Sequence, residues 1–264
     1  MGFSLFLCFE KRKNSMKKIY KAKVSKIERV SATSHFIEIE CDAPVKVEAG
    51  QFISIYCDGL TLRRPFSVYS NNEGKIGVLF KERGKGTKYI KSLKVGDFID
   101  VAGPFGNTFD IQNRKALLIG AGIGAAPMAY LKEKLDEQGI ENYYAAGFLT
   151  KDEVPNGMKI DKVCTDDGSF GDAGSVLNYL GVLINEFQPE VIYACGPHIV
   201  LKIVAEQGEK YGIETQVAME KVMACGIGVC RGCVIDIKKD GKIVNATVCK
   251  DGPVFKGNEV VWEN

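Results

Sequence analysis

The stretch Lys115-Ala-Leu-Leu-Ile-Gly-Ala-Gly-Ile-Gly-Ala-Ala-Pro127 decides the fold of the middle of this 264-residue chain. Its apolar first half is typical of a buried strand, and the apolar periodicity after it predicts a helix from Ala125 to Gln138. Glycines between a strand and a helix bring backbone N–H groups and a helix N-terminus close to a phosphate. The spacing is G-x-G-x-x-P rather than G-x-G-x-x-G, and such a turn can also be purely structural.

The surrounding residues, 113–218, alternate strands and helices. We predict strands over 115–120, 143–148, 162–165, 191–195 and 216–219, and helices over 125–138, 175–185 and 199–210. This order predicts a parallel sheet with helices on both faces. Ligands of such sheets bind beyond the carboxyl ends of the strands. The candidates for a nucleotide site are therefore Gly122, Gly124 and Pro127, with Cys195, Gly196 and Pro197 at a second strand-to-helix junction that is equally consistent with a plain helix start.

The preceding residues, 16–112, favour β structure. Predicted strands cover 19–27, 36–40, 51–56, 75–81 and 97–101, and turn signals such as Asp58-Gly59 and Gly103-Pro104 separate them. No long helical period occurs, so we expect a small antiparallel barrel. It contains Arg63-Arg64-Pro65-Phe66-Ser67 and then Gly84-Lys85-Gly86-Thr87. A guanidinium fork and a small hydroxyl suit a dinucleotide pyrophosphate, but a basic pair on a surface strand explains the same residues.

The last segment, residues 219–264, contains Met223-Ala-Cys225-Gly-Ile-Gly-Val-Cys230-Arg-Gly-Cys233, and Cys249 follows after fifteen residues. C-x4-C-x2-C with a distant fourth cysteine is the ligand pattern of plant-type [2Fe–2S] clusters. Zinc is the alternative, although its ligands usually come as two C-x2-C pairs, and disulfides need an oxidising compartment. We predict a [2Fe–2S] cluster on these four thiolates. The segment is too small for a large core, so we expect the metal to help fold it.

Composition excludes some classes of function. The net charge is +2, from 35 basic and 33 acidic residues, which gives no electrostatic case for nucleic acid or an anionic membrane. The other five of the nine cysteines have no regular spacing and suggest buried thiols in a reducing compartment. They are Cys8, Cys41, Cys57, Cys164 and Cys195.

The N-terminal residues 1–15 are expected to be a dispensable extension. Their apolar run at 3–9 is too short to span a bilayer, and its positive charges follow it, whereas those of a signal peptide precede it. We therefore expect a cytoplasmic protein.

Taken in order, these motifs resemble the ferredoxin reductase superfamily. Arg64-Pro65-Phe66-Ser67 is similar to its R-x-[YF]-S motif for FAD, and residues 122–127 and 195–197 are similar to its nicotinamide-nucleotide motifs. The cysteine segment, with Cys249-Lys-Asp-Gly-Pro-Val-Phe255 and Thr165-Asp-Asp-Gly-Ser-Phe-Gly171, resembles one branch in particular. That branch is the electron-transfer subunit of B-type, NAD-dependent dihydroorotate dehydrogenase, and the resemblance covers about residues 16–260.

The resemblance implies an α+β multidomain chain. Its parts would be an extension at 1–15, an FAD-binding β-barrel at 16–112, an NAD-binding α/β domain at 113–218 and a [2Fe–2S] module at 219–264. Arg64 would face the FAD pyrophosphate and Ser67 would lie near the isoalloxazine. The remaining FAD contacts would match Pro65, Phe66, Leu79, Phe80, Lys81, Gly86 and Thr87.

The resemblance also implies a pathway for electrons. NAD(H) would exchange a hydride with FAD, and the cluster held by Cys225, Cys230, Cys233 and Cys249 would connect FAD to a partner. That partner is a catalytic subunit that carries FMN and oxidises dihydroorotate to orotate in pyrimidine (UMP) biosynthesis, in a heterotetramer of two plus two chains. Hydride transfer to a flavin needs no acid–base pair, so no catalytic side chain is predicted.

Two alternatives remain at this point. The small subunit of an NADH-dependent ferredoxin–NADP reductase or sulfide dehydrogenase complex shares all three parts, but sequences of that type tend to carry Asp where this chain has Cys225. A redox sensor or metal-stabilised scaffold would require the FAD motif to be accidental. The residues alone leave NADH and NADPH open, because Lys151 would favour a 2′-phosphate whereas Asp152 and Glu153 would oppose one.

Overall fold

A computed structural model describes residues 18–262 of the chain. The predicted extension at 1–15 and its Cys8 lie outside the described residues. Two seven-stranded sheets and one two-stranded sheet make up the fold. Across residues 18–262, every helix is too short or too polar to cross a membrane.

The first sheet is an antiparallel half-barrel. Its strands follow the order β4-β3-β7-β1-β2-β6-β5, and alternate side chains such as Ile37, Ile39 and Val78 fill its interior. Residue Ile90 of the one helix that follows β6 is buried as well. The elements are β1 Lys18–Arg29, β2 Ser34–Cys41, β3 Phe52–Ile55, β4 Arg64–Ser67, β5 Ser70–Asn72, β6 Lys75–Lys81, α1 Lys85–Ser92 and β7 Phe98–Phe105.

The half-barrel departs from the sequence prediction in two places. Strands β4 and β5 and helix α1 were not predicted, because each is eight residues or shorter and carries no clear apolar period. The predicted turn at Gly103-Pro104 is wrong, since both residues lie inside β7. The register of β7 against β3 shifts there, so Gly103 and Pro104 form a bulge, a place where a strand tolerates proline.

The second sheet belongs to an α/β domain. Its order is β11-β10-β9-β8-β12-β13-β16, where β16 is Val254–Lys256. The strands pair in parallel up to β13, and β16 pairs antiparallel with β13. The prediction of a parallel sheet is therefore confirmed. The elements are β8 Ala116–Ala121, α2 Ala125–Glu137, β9 Asn142–Phe148, β10 Lys162–Thr165, β11 Asp172–Ala173, α3 Leu180–Phe187, β12 Val191–Cys195, α4 His198–Tyr211 and β13 Glu214–Ala218.

One predicted helix of this domain is composite. The segment predicted as a helix at 175–185 begins with a 3-10 turn, Val176–Tyr179, and only then continues as α3. The Ser175 hydroxyl accepts a hydrogen bond from the Leu177 amide and caps the turn. Two further 3-10 turns, Gly122–Gly124 and Lys151–Glu153, follow β8 and β9.

The C-terminal module, residues 219–262, is built into its neighbours. Its hairpin consists of β14 Val234–Lys239 and β15 Lys242–Thr247, and β16 Val254–Lys256 pairs with β13 at the edge of the α/β sheet. Buried Cys233, Val248 and Cys249 share one apolar cluster with Phe52 and Ala102 of the half-barrel. The module therefore has packing support besides any metal, which its small size did not indicate.

Candidate functional site

Arg64 and Gly86, both predicted to contact FAD, meet at the end of the half-barrel. A Cβ at Gly86 would collide with the Arg64 side chain, whose atoms cover the first turn of α1. Arg64 Nη1 donates to the carbonyl oxygen of Leu62 at 2.5 Å, which holds the guanidinium close to its own strand. Because Gly86 has no side chain, the Arg64 side chain can lie against the N-terminus of α1. We call this place, formed by Arg64 and residues 84–87, the cradle.

The first turn of α1 presents unpaired backbone donors to this cradle. The Thr87 hydroxyl accepts hydrogen bonds from the amides of Arg83, at 2.8 Å, and Gly84, at 3.1 Å, so it caps the chain entry. The amides of residues 85–87 have no acceptor within the helix. Together with the positive end of the helix dipole and Arg64, they fit a pyrophosphate such as that of FAD.

The other predicted FAD residues have different surroundings. Pro65 and Phe66 pair with Ser54 and Ile53 of β3, and the neighbouring Ser67 is exposed on the edge strand β4. Leu79 packs against Phe36 and Ala126, Phe80 stacks on His35 inside the half-barrel, and Lys81 pairs with Glu153.

The two candidate nucleotide motifs of the α/β domain come together at the mouth of its sheet. A Cβ at Gly124 would collide with the backbone of Cys195 and Gly196, and one at Gly196 would meet Ala121. Pro127 lies buried in the first turn of α2, and Pro197 caps α4. Since β8 and β12 are adjacent and the chain leaves them in opposite directions, this is the switch point at which open α/β sheets bind ligands.

The Cys195 thiol at this switch point is kept neutral. Burial raises its pKa to about 12, and the carboxylate of Glu220 adds to the shift. A thiol with so high a pKa is a poor nucleophile near neutral pH. Cys195 can therefore line a nicotinamide site without reacting there.

The segment 165–171 forms a tight loop at the carboxyl end of β10. The Thr165 hydroxyl donates to the Phe170 carbonyl at 2.8 Å, and the Ser169 hydroxyl donates to Asp167 at 2.6 Å. The Lys151 amide donates to Ser169 at 2.8 Å, so this loop lies beside the one after β9. Both loops extend the switch-point crevice away from Cys195.

The four predicted cluster ligands all accept hydrogen bonds from backbone amides. Cys225 Sγ accepts from the amides of residues 227 and 230, at 3.5 and 3.4 Å. The Gly228 amide donates to Cys249 Sγ at 3.1 Å, and the amide of Cys249 donates to Cys233 Sγ at 3.4 Å. Cys230 Sγ accepts from the Gly232 amide at 3.4 Å. Amide donors around thiolates are the environment that tunes an iron–sulfur cluster.

The four predicted ligands differ in their surroundings. The pKa of Cys225 is lowered to about 6, chiefly by the hydrogen bond from the Cys230 amide. Burial and the neighbouring Cys233 raise the pKa of Cys249 to about 12. All eight cysteines in residues 18–262 are free thiols. In this range no group of three or more His, Cys, Asp or Glu side chains is arranged around a single metal ion. Cluster ligands are divided between two irons, so they need not converge as zinc ligands do.

The cysteine loop, residues 222–233, lies against the outer side of the half-barrel. A Cβ at Gly226 would lie 3.7 Å from the hydroxyl of Ser54 in β3. Asn107, just after β7, donates to the Val254 carbonyl at 2.8 Å and accepts from the Val254 amide at 2.9 Å. No local motif predicts the contacts of Ser54, Asn107, Glu220 and the Lys81–Glu153 pair, since their partners are distant in the chain.

Comparisons with known proteins agree with this arrangement. Residues 220–261 match the family model for the iron–sulfur cluster binding domain of dihydroorotate dehydrogenase B, and residues 21–109 match that for an oxidoreductase FAD-binding domain. A dihydroorotate dehydrogenase B (NAD(+)) electron transfer subunit from Caldanaerobacter subterraneus subsp. tengcongensis is 36% identical, over 92% of this chain and 98% of the relative. A protein from Methanocaldococcus jannaschii, named a probable subunit of this kind, is 37% identical over 83% of each chain.

Solved structures share the fold. An NADH-dependent reduced ferredoxin–NADP oxidoreductase, described in connection with flavin-based electron bifurcation, superposes with a TM-score of 0.81 at 29% identity, over 91% of this chain and 90% of its own. Phthalate dioxygenase reductase superposes with a TM-score of 0.64 at 16% identity, over 88% and 77% of the two chains. The second likeness concerns the fold alone.

Proposed function

The chain belongs to the family of electron transfer subunits of dihydroorotate dehydrogenase B (NAD(+)), and from this premise we propose that it passes electrons between NAD(H) and a dihydroorotate dehydrogenase catalytic subunit. It is an NAD-linked oxidoreductase subunit with FAD and an iron–sulfur cluster as cofactors. The oxidation of dihydroorotate itself belongs to the partner.

One observation carries the proposal: the cysteine loop with its amide donors lies against Ser54 of β3, and the register partner of Ser54 is Pro65, next to Arg64 of the Arg64–Gly86 cradle. FAD held there would supply the chemistry that links a nicotinamide, a two-electron hydride carrier, to a cluster that takes single electrons. The side chains around it bind and orient. Arg64 and the first turn of α1 hold a pyrophosphate, the switch point around Gly124 and Cys195 receives the nicotinamide nucleotide, and the four thiolates hold the iron.

The partner would dock where the cysteine loop reaches solvent. Val222, Ile227 and Val229 of this loop are 88%, 41% and 75% exposed. Exposed apolar side chains grouped on one loop mark an interaction surface. A catalytic subunit that covers them would exclude water and lie close to the cluster. We further propose that this partner carries FMN, that two copies of each chain assemble, and that the complex is cytoplasmic.

Purification from native cells under anaerobic conditions tests the proposal. We expect a complex that oxidises dihydroorotate with NAD, and a yellow-brown isolated chain that holds FAD and iron and reduces a dye with NADH. Dihydroorotate oxidation by the chain free of partner would contradict the assignment, as would zinc in place of iron.

A second candidate is the small subunit of a ferredoxin–NADP reductase complex. The similarity in fold to the NADH-dependent enzyme favours it, with a TM-score of 0.81. The names of the relatives and the family model at 220–261 favour the dihydroorotate branch instead. Co-purification distinguishes the two, because the second candidate predicts a partner with ferredoxin-dependent activity and none towards dihydroorotate.

A further inference from the structure

Lys81 and Glu153 form an ion pair that joins the half-barrel to the α/β domain. Lys81 is the last residue of β6, and Glu153 ends the 3-10 turn after β9. Lys81 Nζ lies 2.8 Å from Glu153 Oε1, and only 14% and 13% of the two side chains are exposed. Among the ion pairs of residues 18–262, the others each lie within one of these two parts and have at least one partner more exposed than this.

Backbone hydrogen bonds also cross the boundary between the half-barrel and the α/β domain, which we call the seam, on either side of the ion pair. The Ala32 amide, in the turn between β1 and β2, donates to the Asp152 carbonyl at 2.8 Å. The Asn156 amide donates to the Val30 carbonyl, also at 2.8 Å. Within the α/β domain, Glu153 Oε2 accepts a hydrogen bond from the Leu149 amide at 3.4 Å, which fixes the carboxylate.

An apolar cluster continues the seam towards the switch point. Leu79 and Phe36 of the half-barrel pack with Ala126, in the first turn of α2, and the partly buried Ile123 of the glycine-rich turn packs against them. The ion pair is therefore two residues along β6 from a direct contact with the nucleotide motif. Any change in the angle between the two parts would move the nucleotide motif relative to the half-barrel, where FAD is proposed to bind.

We propose that Lys81 and Glu153 are a positioning pair, an interdomain latch that fixes the α/β domain against the half-barrel so that a nicotinamide reaches the flavin in a reactive geometry. This inference rests on the proposed function for its catalytic consequence. Hydride transfer requires the reacting atoms to lie about 3–3.5 Å apart, so a small change in the domain angle is costly. A buried pair suits this role, because opening the seam would separate two charges that compensate each other.

The test uses the full FAD-loaded chain with Glu153→Gln, Lys81→Met and the charge-swapped double variant Lys81→Glu/Glu153→Lys. In single-turnover reduction by NADH, we expect the limiting rate of each single variant to fall roughly tenfold to a hundredfold, while the half-saturating NADH concentration changes little. The double variant should regain most of the rate. Lys46→Ala, which removes an exposed pair with Glu48 in the half-barrel, should leave the rate unchanged.

Hydrogen exchange gives a readout that does not depend on turnover. In Glu153→Gln, the amides of Ala32 and Asn156 should exchange about tenfold faster, since their bonds cross the seam, while the amide of Val78 inside the sheet stays protected. Unchanged exchange, or an unchanged limiting rate in both single variants, would overturn the latch. Loss of FAD from Lys81→Met alone would also overturn it and would make Lys81 a cofactor contact. Wild-type chain that NADH does not reduce would refute the proposed function, while the exchange result would still decide the latch.

Discussion

Single side chains at the candidate site act mainly by arranging backbone amides. Thr87 caps the entry to α1, and the amides of residues 85–87 lack an acceptor within the helix. In the cysteine loop, Gly228 has a φ of +82°, a conformation that glycine adopts without strain, and its amide reaches Cys249 Sγ. At both places the side chain or its absence decides where an N–H group points.

Arg64 and its neighbour Arg63 offer a matched pair of variants. Arg64→Ala should weaken FAD binding by about 1.5–3 kcal/mol, the value of hydrogen bonds to a charged group, or roughly tenfold to a hundredfold. Arg63→Ala should change it little, because Arg63 pairs with Asp100 at 2.7 Å and lies over Tyr56. For both variants, the FAD released on dilution is measured by its fluorescence. Equal losses of FAD affinity in the two variants would argue against the cradle.

The raised pKa of Cys195 predicts a dependence of stability on pH. Burial raises the pKa of this thiol from 9.0 to about 12, so the unfolded chain loses its proton first. Its contribution to stability is complete below pH 9 and is lost as the pH rises towards 12. Cys195→Ala should therefore flatten the alkaline decline of the urea midpoint between pH 9 and 11. If the urea midpoints of the wild-type chain and of Cys195→Ala declined in parallel with rising pH, burial would not protect the thiol from losing its proton.

At the scale of elements, the site depends on two strand-to-helix turns in backbone contact. The turn after β8 and the junction between β12 and α4 approach so closely at Gly124 that no side chain fits between them. This contact is possible because β8 and β12 are neighbours in register, with Gly120 beside Cys195. Parallel pairing thus brings the motifs at residues 122–127 and 195–197 into one crevice.

Gly124→Ala tests this contact against another glycine of the same domain. A methyl group at Gly124 would press on the backbone of Cys195 and Gly196, and we expect a loss of about 1–3 kcal/mol in the free energy of unfolding and weaker NADH binding. Gly181→Ala in α3 meets only the Tyr211 hydroxyl at 3.7 Å and should gain about 0.4–1 kcal/mol. Urea unfolding measures the change in the free energy of unfolding for both variants. A change of the same sign in both would count against a close approach of the Gly124 backbone to that of Cys195 and Gly196.

At the scale of the whole molecule, the three parts are interlocked. Strand β16 of the C-terminal module closes the α/β sheet, Asn107 ties the half-barrel to that module, and the Tyr130 hydroxyl of α2 donates to the Val47 carbonyl of the half-barrel at 2.6 Å. The exposed apolar residues of the cysteine loop remain outside these contacts. Contacts between all three parts, with exposed apolar side chains left at the edge formed by the cysteine loop, suit a subunit that delivers electrons at a fixed place.

A charge on that edge should separate assembly from the chemistry within the chain. Val229→Asp should weaken binding of the catalytic subunit roughly tenfold to a hundredfold, as expected from the loss of a buried valine worth about 1.5–3 kcal/mol. Reduction of a dye by NADH should persist, because it does not need the partner. Val182→Asp, at a 51% exposed position of α3, is the control and should leave assembly intact. Titration calorimetry distinguishes the two, and equal weakening would move the docking surface elsewhere.

Local chemistry allowed much to be predicted from the sequence. The strands at 75–81, 162–165 and 191–195 are confirmed to the residue, because short apolar runs between turn residues have few alternatives. The cysteine spacing predicted the cluster, since three of its four ligands lie in one short loop and stay within reach of one another whatever the rest of the chain does. The parallel sheet followed from the alternation of strands and helices.

Contacts between distant residues were decided only by the tertiary structure. The placement of β16 in the α/β sheet, the bulge at Gly103 and Pro104, and the approach of Gly124 to Cys195 each depend on how strands pair, which no local pattern encodes. The pairing of Lys81 with Glu153 is of the same kind. A motif specifies what a segment can bind because its own backbone and side chains supply the donors. How the bound groups face one another is set by packing between parts of the chain that meet only after folding.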